Sequence, residues 1–227
     1  MVLLVGVGWR VLTMLAFRPA LVIDESRSHL SFLGAARPDP AHPVGYGILE
    51  LTPLSWFTDS LAPVAAVQHL MGLATGVAIY VLLVRWGVWR WLAAAASAPV
   101  LWDAYQLASE HLVLPDTLFV LLLVAAVLTL CWRARPSAAA ALSGGLLLGV
   151  ASTVRPVGGP VLLVAVVFLL LAGTTWRTRV AGALLVVVGF ALPVLPYLAW
   201  YHHTHGDFAL AQTQASGDTG TPRRAGK

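Results

Sequence analysis

The chain is a succession of apolar runs, each close to the ~20 residues a helix needs to cross a hydrocarbon layer. By hydropathy they fall at residues 2–22, 61–84, 91–108, 114–132, 138–156, 158–173 and 180–201 of 227. Nothing else constrains the fold as strongly. Backbone in lipid must satisfy its own polar groups, and a helix does so within one segment. The predicted fold class is all-α and polytopic, with about seven transmembrane helices. Composition agrees: 59% of residues are hydrophobic, 11% are charged and mean hydropathy is +0.81, against about a quarter charged in soluble domains. The first run reads as a span rather than a cleaved leader, because it lacks a charged n-region and a small-residue cleavage site. Arg10 lies inside it and is expected to snorkel back to the near surface.

The short connections sort by charge. Arg85 and Arg90, Arg133 and Arg135, and Arg177 and Arg179 fill three of them, with no acid in any. The positive-inside rule puts these turns in the cytoplasm with the N-terminus, and Trp86, Trp89, Trp91, Trp132 and Trp176 stand at the same edges as an interfacial belt. By alternation the acids gather near the outer face: Asp24, Glu25, Asp39, Glu50, Asp59, Asp103, Glu110, Asp116 and Asp207. The expected location is the plasma membrane, multi-pass, with the loop at 23–60 outside.

The net charge of +4 is scattered over short loops, so membrane lipids are expected partners and nucleic acid is not. A single cysteine, Cys131, rules out an internal disulfide framework and a cysteine metal site. His202, His203 and His205 read as a bare H-H-x-H stretch without a cysteine partner, and no metal site is expected there. No phosphate-binding glycine loop or dinucleotide fingerprint occurs, so no cofactor is expected. Ala138–Ala141 with Gly144, Gly145 and Gly149 offers a small-residue face for close helix packing. Residues 1–201 form the membrane module, and 202–227 read as a polar tail.

One stretch breaks the apolar pattern. Residues 23–47 hold an acidic pair, two arginines, two histidines and clustered prolines. Short helices lying on the membrane surface are expected at 24–36 and at about 44–57, joined by an extended Pro38–Pro43 segment. Leu30, Phe32 and Leu33 would dip into the interface while Asp24 and Arg27 face a cavity. A loop this polar between apolar spans is where chemistry would sit.

Asp24-Glu25-Ser26-Arg27-Ser28 directly after the first span, with His42-Pro43-Val44-Gly45-Tyr46 following, resembles the first outer loop of the GT-C superfamily. More narrowly it is similar to protein O-mannosyltransferases and lipid A aminoarabinose transferases. Their loops read D-E-x-x-Y or D-E-x-R-Y, then H-P-P-L or K-P-P-L. Ser28 stands where tyrosine is usual, and Val44 where the second proline is. The resemblance extends loosely over residues 1–214. It implies a GT-C-like seven-helix module and a membrane glycosyltransferase. Such an enzyme moves a sugar, with inversion, from a polyprenyl-phosphate carrier to an acceptor hydroxyl on a glycan, lipid or protein.

That chemistry needs a base for the acceptor hydroxyl and cationic help for the departing phosphate. On the resemblance Asp24 is the catalytic base. Glu25, Arg27, His42 and Tyr46 bind substrate, Arg27 through the two-pronged guanidinium fork. Arg155, in S-T-V-R-P-V-G-G, is a second candidate for the lipid phosphate. Glu110 and Asp116, in S-E-H-L-V-L-P-D-T, are candidates for sugar or acceptor hydroxyls. Each also has a plain reading: Asp24–Arg27 as a local ion pair, Arg155 as a headgroup contact, Asp116 as a helix cap.

Two other functions stay open. A transporter or lipid flippase would hold its ionisable groups at mid-membrane, between repeated halves. A truncated, inactive piece or partner of a larger glycosyltransferase is the other, since members of that family continue past seven spans. Here the last span is followed by a polar tail with no fold signal.

Overall fold

The computed structural model describes residues 1–20, 43–57, 60–206 and 209–210. Among these the chain is helical, with no strand. In order come α1 (Val2–Ala16), a π-helical turn α2 (Gly47–Leu51), α3 (Thr52–Ser55), α4 (Leu61–Arg85) and α5 (Arg90–Trp102). Then follow α6 (Ala104–His111), α7 (Asp116–Cys131), α8 (Ala138–Val154), α9 (Gly158–Ala172) and α10 (Trp176–His205). Every apolar run therefore carries a helix.

Length separates these helices. α4 and α10 are each long and apolar enough to cross a membrane, and α6 with α7 adds a third if that pair, bent by 114°, counts as one span. α1, α8 and α9 are apolar but have 15, 17 and 15 residues, short of the ~20 that fill a bilayer core. Two to three membrane-crossing helices thus stand on length and composition.

The run at 91–108 is not one helix. It breaks at Asp103, whose backbone is extended and whose carboxylate accepts from the Gln106 N–H at 2.9 Å, capping α6 as a new helix. Elsewhere the boundaries follow local chemistry. Ser60 and Ser137 cap α4 and α8, and Thr175 with Thr178 forms a reciprocal capping box at α10. Pro156 and Gly158 turn the chain tightly from α8 into α9, with Gly158 N–H bonded to the Arg155 carbonyl at 3.0 Å.

α8 and α10 pack with backbones in near contact, since a side chain on Gly145 or Gly189 would overlap the Val186 or Leu142 carbonyl of the opposite helix. Leu130, Leu148, Leu169 and Val186 fill the space between α7, α8, α9 and α10. The outward faces are apolar: Leu163, Val164, Leu184, Leu192 and Leu195 are all exposed, a surface suited to lipid.

The arginine-bearing turns meet at one end of the bundle. There Arg85 lies over the Trp132 ring at 4.8 Å and bonds the Trp132 carbonyl at 2.9 Å, while Trp86 bonds the Cys131 carbonyl at 2.8 Å. The start of α7 and the end of α8 meet at the opposite end, and the segment from Pro43 to Phe57 docks there.

Candidate functional site

The docking segment is anchored by one residue. Tyr46 is fully buried with Leu51, Val64, Val113, Leu118, Phe119, Ala151 and Val154. Its hydroxyl accepts from Gln68 Nε2 at 2.7 Å, and the same amide donates to the Leu114 carbonyl at 2.8 Å. Just before it, Gly45 lies so close to the Thr153 backbone that any side chain would collide with it. The result is an apolar cluster whose polar side carries the Gln68 amide.

Next to this anchor is an ion pair. Arg155 Nη2 donates to Asp116 Oδ2 at 2.5 Å, joining the end of α8 to the first residue of α7, with both side chains about one-third exposed (30% and 35%). Val154 and Leu118, which flank the pair in sequence, belong to the Tyr46 cluster. Tyr46, Asp116 and Arg155, far apart in sequence, therefore gather at one end. An apolar groove lined by Val44, Ile48, Leu49, Tyr197 and Trp200 opens beside them.

Beneath the rim lies a carboxyl that the sequence reading did not single out. Glu50, one turn after Tyr46 on α2, is 3% exposed, and neither oxygen has a hydrogen-bond partner among the described residues. Burial pushes its pKa from 4.5 up to about 8, and the neighbouring Gln68 opposes that shift without cancelling it. Burial, and then the nearby Glu50, also drive the Tyr46 hydroxyl above its ordinary range. The turn that carries Glu50 is π-helical, a geometry often found at functional sites. Its outward side chains, Ile48 and Leu49, are half exposed and apolar. This agrees with the amphipathic helix expected at 44–57, whose inner face is more deeply buried than a surface helix requires.

Glu110 stands elsewhere, deep between α1, α4 and α6. Its Oε1 accepts from Arg10 Nη2 at 2.6 Å and from Gln106 at 3.2 Å, and its Oε2 lies 2.7 Å from His69 Nδ1. Arg10 also donates to the Gly6 and Leu101 carbonyls at 3.1 and 2.9 Å. The expected snorkelling of Arg10 is thus overturned. With a buried carboxylate available, the guanidinium turns inward to an ion pair instead of reaching for the surface. His69 Nε2 lies 3.3 Å from His111 Nδ1, extending the chain of contacts. A signal for this cluster was present in the sequence: an arginine and a histidine inside apolar runs, where ionisable groups need partners.

Asp24, Glu25, Arg27 and His42 lie outside the described residues, as does the helix expected at 24–36. Among the described residues, no group of three or more His, Cys, Asp or Glu is arranged to hold a metal. Between α6 and α7, Val113 adopts a left-handed backbone (φ 55°) while buried in the Tyr46 cluster. A β-branched residue there is strained. That turn presents the Leu114 carbonyl to Gln68 and sets Asp116 against Arg155.

Compared with known protein families, curated proteins and solved structures, the chain matches none.

Proposed function

We propose that the chain is the GT-C-like, seven-span module of an inverting membrane glycosyltransferase. Its N-terminus lies in the cytoplasm, and the loop at 23–60 lies at the outer face of the plasma membrane. It transfers a sugar from a polyprenyl-phosphate carrier to an acceptor hydroxyl. The observation that carries this reading is the gathering of Tyr46, Asp116 and Arg155 at one end of the bundle, where the segment from Pro43 onward also docks. Arg155 supplies a guanidinium for phosphate and Asp116 orients it. A polyprenyl chain needs an apolar berth, and the groove between Val44, Leu49, Tyr197 and Trp200 offers one. Asp24 serves as base, with Arg27 on the same phosphate. Glu110 enters only by holding α1 and α6 in place.

The test uses purified protein in lipid with a radiolabelled polyprenyl-phosphate sugar, alongside a version extended by whatever sequence the gene encodes downstream. Asp24→Asn keeps the shape and removes the basicity, so transfer is expected to fall about 10²–10⁴-fold with donor binding intact. Normal transfer by Asp24→Asn would remove Asp24 as the base. No transfer by either version of the protein would overturn the activity itself.

A second reading, a transporter, draws on the buried Arg10–Glu110–His69 cluster. Those partners are tied directly to one another at 2.6 and 2.7 Å, which suits a lock between helices better than an ion path. Substrate flux in proteoliposomes without transfer would favour the transporter.

A further inference from the structure

A groove of about 370 Å³ runs between the end of α7 and the start of α8, at the arginine-bearing end of the bundle. Two of the polar side chains along it are spent within their own helices. Thr129 donates to the Ala125 carbonyl at 2.7 Å, and Ser137 accepts the Ala140 N–H at 3.2 Å. Leu128, Trp132, Pro136 and Ala140 make the rest of its walls apolar. Arg133 also lines the groove, is exposed, and takes no hydrogen bond or ion pair from the described residues. A second guanidinium adjoins the Trp132 wall. Arg85 lies 4.8 Å from that ring and uses Nε on the Trp132 carbonyl, so its two terminal nitrogens take no partner among the described residues.

Nothing in the chain nearby neutralises these charges. No Asp or Glu occurs at 60–102 or at 117–206. Asp116 begins the 16-residue α7 and Arg133 follows its end, which sets them more than ~20 Å apart at ~1.5 Å per residue. Salt screens charges beyond about 8–10 Å. An occupant that suits this groove therefore joins a negative head to an apolar chain.

We propose that the α7–α8 groove binds one anionic phospholipid from the leaflet at this end. Its phosphate sits on Arg133 and Arg85, since guanidinium forks match phosphate oxygens. Part of an acyl chain lies against Leu128, Trp132 and Ala140. The volume is at the small end of the ~300–1,000 Å³ typical of ligand sites, so the remainder of the lipid stays in the bilayer. A net negative headgroup is selected, because a zwitterionic lipid brings its own cation to a place with no acid to receive it. A soluble anion leaves the apolar walls unfilled. The inference rests on the membrane placement of the helices and not on sugar transfer.

The test is native mass spectrometry of the full chain released from nanodiscs that hold equal amounts of phosphatidylglycerol and phosphatidylcholine. One phosphatidylglycerol is expected to stay bound in preference to phosphatidylcholine. Arg133→Gln changes an exposed, unpaired side chain and is expected to weaken retention about fivefold, the worth of one basic residue at an anionic surface. Ala140→Phe fills the groove without altering charge and is expected to lose the lipid. Arg177→Gln, exposed at the same end but outside the groove, is expected to retain it fully. Should Ala140→Phe fail to fold, the two arginine variants decide. Equal retention of both lipids would overturn the proposal, as would full retention by Arg133→Gln. Equal loss in Arg177→Gln would replace the site with diffuse surface charge. Displacement by excess inorganic phosphate would assign the groove to a soluble anion and overturn the lipid.

Discussion

A carboxyl group buried from water keeps its proton, because ionisation would put a charge where too little solvates it. Glu50 is such a group, with its pKa raised from 4.5 to about 8. The sign of the pH effect follows. The folded chain binds this proton more tightly than the unfolded chain does. The stabilisation is therefore complete below about pH 4.5, declines as pH rises and is gone above about pH 8, at up to ~1.4 kcal/mol per pH unit. Thermal unfolding in nanodiscs is expected to show a midpoint that falls from pH 5 to pH 8. Glu50→Gln, which copies the protonated shape, is expected to flatten that profile. Equal slopes for the two proteins would show that Glu50 ionises freely. The sequence marked Glu50 only as one acid among several near one face. What makes it unusual is the seat of Tyr46 four residues earlier, a product of contacts with α4, α7 and α8.

At the scale of elements, one glycine measures how tightly the helices are locked. A Cβ on Gly72 would overlap the Glu110 carboxylate and come within 2.8 Å of the Arg10 guanidinium. Gly72→Ala should gain up to ~1 kcal/mol in helix propensity. It should lose more, because overpacking costs about 1–3 kcal/mol and breaking a buried ion pair about 3–5 kcal/mol. Gly8→Ala on α1 meets nothing within 4 Å and serves as the control. Unfolding midpoints should drop for Gly72→Ala and hold or rise for Gly8→Ala. Parallel behaviour would mean that the Arg10–Glu110 pair is not the lock. Hydropathy located nearly every helix, because apolar length is a local property. It missed the break at Asp103 and the left-handed Val113, where packing and a cap outweigh local preference. It also missed the Arg10–Glu110 pair, because partners 100 positions apart leave no periodic trace. The candidate site was legible in the same uneven way. Asp116 and Arg155 stand in separate short motifs, and their pairing emerges only once α7 and α8 lie side by side.

For the whole molecule, the open quantity is the number of crossings. At ~1.5 Å per residue, helices of 15 to 17 residues reach only about 22–26 Å against a ~30 Å core. They cross only if the bilayer thins around them or flanking residues extend the span. The proposed seven-span reading takes them as crossing, and the sorting of charge is what favours it. The turns bearing Arg85, Arg133 and Arg179 lie at one end, away from the Asp116–Arg155 rim and the docked 43–57 segment. Seven crossings put residue 31 and residue 174 on opposite sides of the membrane, with residue 31 outside. Single cysteines at Ser31 and at Thr174, each in a Cys131→Ser background, test this with a membrane-impermeant maleimide. The Ser31 position is expected to label in intact cells, and the Thr174 position only after permeabilisation. The reverse pattern would invert the orientation and put the proposed donor on the wrong side. Labelling of both from one side would require an even number of crossings between them, so at least one of the five runs from 61 to 173 would lie within a single leaflet or along its surface.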